Sequence, residues 1–459
     1  MFQRINLKSK FEHFLLLFII CQPILDLLTS FCILQLNMSA TLGVLIRFLI
    51  MTLSIIYLLI KSIEIRKWNY LIYLIGVALI CGAGIINNIL IKTPILLGEE
   101  VKFVSKSVYY IIMLFTYFLA LNSMKAKENI YIKTRDYIVY ATLIMNITIL
   151  ISIITGTDYN SYPYSKIGSK GWFYAANELG SILGVTFPIV VLYSIEKTTS
   201  IRALYYWIPT ILSIFSSFAI GTKVGYFSVV FTIIVAILIS FIQAFAHKKQ
   251  FLLNSLVVTC IGVGIALTTS STPFVKNMAI HQQELQTEAF LAQQRQYLTQ
   301  EQINAPASIP AIEGKKSDVE NMIFSSRELF IQTYKKSFKE VPMSQKLLGM
   351  GYGGILNYPL APKLIERDFH DWFYTFGVIG FIFMVLPVLY YCLKALVLFM
   401  KDIKSLFTIK YVLMGTGIVL SVGIAFISGH VLTAPGVSIY FIVILATFLV
   451  SLSGKTVQK

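Results

Sequence analysis

The sequence has few charged residues for its length, and this shortage excludes most soluble folds. Charged residues make up 13% of the 459 residues, hydrophobic residues make up 56%, and the mean hydropathy is +0.75. This apolar content is higher than that of a soluble globular domain. The chain is therefore predicted to be a polytopic membrane protein.

The sequence also lacks the cysteine pattern of a disulfide-linked or zinc-binding domain. Its five cysteines lie in apolar runs and none lies in the long polar segment 270–369, so neither a disulfide framework nor a cysteine metal site is predicted. The formal net charge is +16. Its basic residues are scattered in short connections rather than gathered on one face, which argues against a nucleic-acid partner. The cysteines are Cys21, Cys32, Cys81, Cys260 and Cys392.

Twelve apolar runs are long enough to cross a bilayer as helices. A spanning helix needs about 20 apolar residues, and barrel strands are excluded because the runs do not alternate. The predicted fold is thus all-α, a polytopic membrane protein with one large outer loop. The runs lie near 12–33, 41–60, 69–90, 104–122, 136–155, 174–194, 203–219, 224–243, 251–269, 371–393, 411–429 and 435–452.

The distribution of lysine and arginine predicts how these helices are oriented. With the N-terminus inside, the inner connections hold 20 of these residues and the short outer connections hold 6, which is the bias expected of cytoplasmic loops. Both termini are therefore predicted to be cytoplasmic. The chain divides into transmembrane helices 1–9 over residues 1–269, an extracytoplasmic loop with helical segments over 270–369, and helices 10–12 over 370–459.

The outer loop carries the first candidate site residue, Arg327. Composition predicts a polar helix over 275–304, a linker over 305–318 and a second helix over 319–340. Arg327 lies at the edge of the apolar stripe of that second helix. Its head group can turn toward a substrate cavity, or it can simply snorkel to the membrane surface.

Glycines and a histidine follow Arg327 along the loop. Gly349 and Gly351 belong to a stretch whose backbone amides can converge on an anion, although a plain tight turn is the alternative. No strand precedes the stretch, which excludes a dinucleotide-binding fold. His370 opens the tenth apolar run beside Asp371. There it is placed to act as a general base or phosphate ligand, or to be an interfacial residue without chemical role.

Other polar residues lie inside or beside the apolar runs. Lys223 lies in a short outer turn between the seventh and eighth runs, and Asn177 and Glu178 open the sixth run from the outer side. The first two runs contain Asp26 and Arg47. An intramembrane charge is costly, so this pair is either functional or joins the two helices.

In their order and spacing these elements resemble the O-antigen ligase and polymerase superfamily of bacterial membrane glycosyltransferases. In that family a Phe-x-x-x-Asn-x-x-Gly element opens a middle helix and a Gly-Thr-Arg or Gly-Ser-Arg turn follows. A large outer loop then carries an arginine, a Leu-Gly-x-Gly stretch and a histidine before the next helix. Lys223 replaces the arginine of the turn, which keeps the charge but loses the bidentate fork. The corresponding residues, within 171–380, are Phe173 with Asn177 and Gly180, Gly221-Thr222-Lys223, Arg327, Leu348-Gly349-Met350-Gly351, and His370.

The resemblance implies a GT-C type architecture and a metal-independent, inverting transfer of a glycan in the bacterial cytoplasmic (inner) membrane. The donor would be linked to polyprenyl pyrophosphate and the acceptor would be a glycan or lipid at the outer face. Arg327 and Lys223 would bind the pyrophosphate, and His370 would take or orient the acceptor's proton. Neither a cofactor nor a metal is implied, because the donor arrives activated and the outer face lacks a carboxylate cluster. The remaining candidates are Gly349 and Gly351 for the pyrophosphate, and Asn177, Glu178 and Asp371 for the acceptor or sugar.

Two other classes of protein remain as alternatives. A transporter or lipid-linked glycan flippase would show inverted repeats with paired interrupted helices and midplane charges, but Asp26 and Arg47 have no matching pair in the second half. A scaffold with a sensory outer loop would need no aligned outer cations. The sequence leaves open whether the chain is a ligase or a polymerase, and which sugar and acceptor it uses.

Overall fold

The protein is mostly α-helical in the ranges that the computed structural model describes, which are residues 2–38, 41–93, 95–126, 128–163, 165–247, 250–283, 327–354 and 364–456. In these ranges twelve helices are long and apolar enough to cross a membrane. They coincide with the twelve predicted runs. The predicted all-α, polytopic membrane fold is therefore confirmed.

The helices are labelled α1 to α15 in chain order, and residues 273–283 are also helical. The bounds are α1 Phe2–Leu34, α2 Leu42–Glu64, α3 Asn69–Ile91, α4 Leu97–Met124, α5 Ile130–Ile154, α6 Ala176–Lys197, α7 Ile208–Ile220, α8 Lys223–His247, α9 Gln250–Thr268, α10 Arg327–Glu340, α11 Met343–Leu348, α12 Asp368–Lys401, α13 Ile403–Leu406, α14 Ile409–Ile427 and α15 Pro435–Thr456.

Within the long loop, the predicted helices are only partly within the described ranges. The described part of the predicted polar helix is 275–283, which is helical, and the second predicted helix is seen as α10. The predicted linker 305–318 and the start of the apolar stripe lie outside the described residues. The fourth spanning helix begins at Leu97, earlier than its apolar run, because Glu100 in its polar first turn is paired with Lys92 and with the backbone N–H of Tyr352.

Helices α6 and α15 form the centre of the bundle. In the most apolar 18-residue window of each, 94% and 89% of the residues are buried, compared with 22% in α3. Helix α6 packs against α5, α7, α8, α14 and α15. Helix α6 thereby lies beside α8, which begins at Lys223.

Candidate active site

The turn between α7 and α8 packs closely on the start of α6. A Cβ atom at Gly180 would lie 2.5 Å from Thr222 Oγ1, so a residue with a side chain here would push the turn away. The Thr222 hydroxyl also accepts a hydrogen bond from the Gly225 backbone at 3.2 Å, which caps the first turn of α8. This packing fixes the position of Lys223.

Asn277 joins three segments at the same end of the bundle. Its side-chain amide both accepts from the Ile167 backbone N–H and donates to the Ile167 carbonyl, each at 2.7 Å. It also donates to the Gly221 carbonyl at 3.2 Å. The connection between α5 and α6, which contains Lys166, is therefore held beside the turn that precedes Lys223.

Three basic side chains from distant parts of the sequence gather here. Lys223 interacts electrostatically with both Lys166 and Arg327, and Tyr162 also experiences the charge of Arg327. These positive charges repel one another, and a bound anion would relieve that repulsion. The arrangement is suited to a multiply charged anion.

Arg327 contacts a carboxylate that lies between it and a histidine. Its Nη2 lies 3.2 Å from Glu366 Oε2, and the same oxygen lies 3.8 Å from His430 Nε2. Burial lowers the pKa of this histidine. The contact with Glu366 and the charges of two further carboxylates, Glu178 and Asp368, outweigh this effect and raise the pKa above its ordinary value of 6.5.

Asp368, at the start of α12, organises the connection between α14 and α15. It is 1% exposed, and each carboxylate oxygen accepts two hydrogen bonds. The donors are the backbone N–H groups of His430 at 3.0 Å, Val431 at 2.9 Å and Leu432 at 2.7 Å, and the Thr433 hydroxyl at 2.6 Å. These bonds hold His430 in the left-handed backbone region, with φ 62°.

Asp371, a candidate for sugar binding, lies one turn further along α12. Its two oxygens accept from the backbone N–H groups of Ile365 at 2.8 Å and Arg367 at 3.1 Å, and the residue is 4% exposed. The Arg367 side chain in turn forms a 2.8 Å ion pair with Glu328 of α10. Asp371 therefore holds the backbone of the segment that precedes α12.

His370 lies half-buried in the first turn of α12. Its ring centroid is 6.3 Å from that of Phe426, and it interacts electrostatically with Arg367 and Glu328. Its Nδ1 atom has no hydrogen-bond partner among the described residues. Because Glu328 follows Arg327 in the chain, His370 belongs to the same end of the bundle as the basic residues.

The glycine stretch is placed elsewhere. The Gly349 N–H donates to the Gln345 carbonyl at 2.8 Å, and the Gly351 N–H donates to the Thr375 carbonyl at 3.1 Å. A Cβ atom at Gly349 would lie 1.9 Å from the Thr375 oxygen, and one at Gly377 would lie 2.5 Å from the Gly349 nitrogen. Glycine is required on both sides because backbone packs directly on backbone.

The anionic group beside the glycine stretch is the carboxylate of Glu100, a residue of the protein itself. The Tyr352 N–H donates to Glu100 Oε2 at 2.7 Å, and Glu100 forms a 2.9 Å ion pair with Lys92. Both members of this pair are buried, with side chains 3% and 6% exposed. The segment after α11 is thereby attached to α3 and α4.

The remaining predicted residues surround the first turn of α6. Asn177 is exposed there, and Glu178 interacts electrostatically with His430 and with both members of the Asp26 and Arg47 pair. Arg47 Nη2 lies 2.6 Å from Asp26 Oδ1. The pair therefore joins α1 to α2 and lies within electrostatic range of Glu178.

Sequence reasoning did not assign four residues that the fold brings into this site. Glu366 and Asp368 stand just before His370, but their partners lie more than 60 residues away or on α10, and no local pattern shows that. Lys166 stands in a loop without any motif that would distinguish it from other loop charges. His430 had one usable signal, since it lies in the short break between the last two apolar runs, on the same predicted side as the large loop.

The fold and the site together define a polytopic membrane protein that gathers cations, carboxylates and two histidines at one end of its bundle. Such a site suits an anionic substrate presented from the membrane.

The family described as "O-antigen ligase like membrane protein" matches residues 8–455, and the chain belongs to this family. The resemblance inferred from the motifs is confirmed. Membership supports a role in membrane glycan transfer, with a lipid-linked glycan and an acceptor as the substrates. No individual curated protein matches the chain.

Proposed function

We propose that the protein transfers a glycan from polyprenyl pyrophosphate to a glycan or lipid acceptor, at the outer face of the bacterial cytoplasmic membrane. The observation that carries this proposal is the gathering of Arg327, Lys223 and Lys166 from three separate segments. A pyrophosphate diester needs several positive charges at close range, both for binding and for its departure as a leaving group. Three side-chain cations supply that charge without a metal ion.

The proposed reaction is a single displacement with inversion. The acceptor hydroxyl attacks the anomeric carbon, the bond from that carbon to the pyrophosphate oxygen breaks, and the lipid pyrophosphate leaves with both bonding electrons. Arg327 and Lys223 stabilise the charge that develops on the leaving group. We assign to His370 the removal of the hydroxyl proton, because this imidazole lies in the first turn of α12 at the same end of the bundle as Arg327, and its Nδ1 atom has no hydrogen-bond partner among the described residues.

Gly349, Gly351 and Asp371 do not keep the binding roles that the sequence suggested for them. The amides of Gly349 and Gly351 already donate to backbone carbonyls, and the oxygens of Asp371 already accept from backbone amides. We assign these three residues to shaping the site. Asn177 and Glu178, at the start of α6, are left for the acceptor or the sugar.

Substitution of the charged residues tests the proposal. Arg327→Ala, Lys223→Ala and His370→Gln are each expected to reduce transfer from a purified polyprenyl-pyrophosphate glycan by about 10²-fold or more, the range for loss of a group that acts in the transition state. The first two variants should also weaken donor binding, whereas His370→Gln should retain it.

Lys339→Ala is the matched control, because it removes a basic residue from the exposed side of α10 and should leave transfer unchanged. Protein abundance in membranes must stay near normal for each variant. Normal turnover by Arg327→Ala would refute the assignment of the pyrophosphate site.

A further inference from the structure

Glu366 and His430 form a unit that the proposed transfer reaction does not use. Both residues have left-handed backbone conformations, with φ 64° and φ 62°. Residues other than glycine seldom adopt this region, and such strain persists only where surrounding contacts enforce it. The two residues also face each other, with Glu366 Oε2 3.8 Å from His430 Nε2.

One turn of α12 enforces both strained conformations. Asp368 accepts the backbone N–H of His430 at 3.0 Å, while Asp371 accepts the amides on either side of Glu366, those of Ile365 and Arg367. A Cβ atom at the intervening Gly429 would lie 2.5 Å from the Glu366 carbonyl oxygen. The hydrogen bonds of Asp368 and Asp371 therefore hold the backbones of Glu366 and His430 so that the two side chains face each other. A chance surface contact would not need this support.

The Glu366 carboxylate is poised between two cationic partners. The oxygen that lies 3.2 Å from Arg327 Nη2 is the one that lies 3.8 Å from His430 Nε2. Arg327 Nε and His430 Nε2 are both buried and without a hydrogen-bond partner among the described residues. A shift of about 1 Å would turn the longer contact into a hydrogen bond.

We propose that Glu366 occupies the side of Arg327 that the donor's pyrophosphate takes, and that His430 receives the Glu366 carboxylate when the donor binds. Glu366 and His430 are then positioning residues that act through Arg327. This inference rests on the proposed function, because it assumes that Arg327 binds the pyrophosphate. It adds that donor affinity depends on the protonation of His430.

The expected pH dependence follows from the groups that face His430. These are Glu366 before α12, Asp368 on α12 and Glu178 on α6, with Arg327 of α10 on the far side of Glu366. Together the three carboxylates raise the pKa of His430 above 6.5, although burial opposes them. Below that pKa the imidazolium attracts Glu366 and leaves Arg327 to the donor. Above it, Glu366 stays on Arg327 and competes with the donor.

Binding of farnesyl pyrophosphate to the full-length protein in nanodiscs, measured from pH 6 to pH 9, tests the inference. In the wild type, affinity should fall by about two- to fivefold as pH rises through the pKa of His430, the range expected when a partly exposed ion pair competes. Glu366→Gln should remove this fall and bind more tightly than the wild type at high pH. His430→Asn, which suits a left-handed backbone, should show the weaker affinity at every pH.

The control variant is Glu340→Gln, which removes a carboxylate from the exposed end of the same loop helix and should bind like the wild type. The ligand's own titration is common to all variants, so only differences between their profiles count. If Glu366→Gln matches the wild type at every pH while Arg327→Ala abolishes binding, the inference is refuted and the proposed function stands. If Arg327→Ala binds normally, the proposed function itself fails.

Discussion

The hydrogen bonds of Asp368 allow a quantitative prediction about how the site is held together. Replacing Asp368 by Asn keeps the shape of the side chain but turns one acceptor oxygen into an amide that donates. Each oxygen of Asp368 faces two donors, so either orientation of the new amide opposes donor with donor. The hydroxyl of Thr433 can rotate to accept, but a backbone N–H cannot, and at least one backbone bond is lost.

The size of the effect follows from the number of bonds. A hydrogen bond to a charged acceptor contributes about 1.5–3 kcal/mol and one to a neutral acceptor about 1 kcal/mol less. One lost bond and three weakened ones in Asp368→Asn then reduce the free energy of unfolding by about 4–6 kcal/mol. In Asp371→Asn only two backbone bonds are affected, so the loss should be smaller than in Asp368→Asn.

Denaturation of the detergent-solubilised protein by sodium dodecyl sulfate measures these differences. Asp402→Asn is the control, because it changes the same residue type at the other end of α12, where the carboxylate accepts from the nearby Ser405 hydroxyl. It should lower the free energy of unfolding much less than the other two variants do. Hydrogen exchange should show the loss in Asp368→Asn concentrated at residues 430–432. Equal stabilities for Asp368→Asn and Asp402→Asn would refute the reasoning, as would a larger loss in Asp371→Asn than in Asp368→Asn.

Two further predictions concern the turn and the orientation. Gly180→Ala should reduce the free energy of unfolding by about 1–3 kcal/mol through overpacking and should also reduce transfer. Adding Thr222→Ala should restore part of both, because it removes the oxygen that the new Cβ meets. If stability and transfer are not restored, the turn is not the point of contact. Glu340→Cys, in a chain without other cysteines, should react with an impermeant thiol reagent in intact cells if the large loop is extracytoplasmic, and labelling only after permeabilisation would reverse the predicted topology.

The membrane-spanning helices could be predicted from the sequence because each satisfies its backbone hydrogen bonds within itself. Apolar length alone therefore located all twelve described spans, although three of them, Leu97–Met124, Phe251–Gln283 and Asp368–Lys401, extend well beyond the predicted runs. The start of α4 was predicted late because its first turn carries Glu99 and Glu100. Burial of Glu100 depends on Lys92 and on the backbone of Tyr352, which hydropathy cannot register.

The candidate site was only partly predictable, for a physical reason that its residues illustrate. Arg327, Lys223 and His370 stand out because charge or imidazole at the edge of an apolar run is unusual, and the order of the motifs is specific. The role of His430 depends on Glu366 and on pairings that close only when α12 and the last two helices pack. A glycine-rich stretch such as 349–354 has the same local sequence whether its amides face a ligand or a neighbouring helix, so its partners follow only from the tertiary structure.

The backbone break in α12 has a consequence for the order in which the protein assembles. At Gly377 the helix departs from helical geometry, with φ 64° and ψ −173°, and the carbonyls of Tyr374 and Thr375 accept from the amides of Met350 and Gly351 at 2.9 and 3.1 Å. In a bilayer these carbonyls have no water to turn to. Residues 350 and 351 precede α12 in the chain, so their amides are synthesised before the two carbonyls that they satisfy. The break in α12 can therefore reach its final, fully hydrogen-bonded form only after the segment that follows α11 has packed against it.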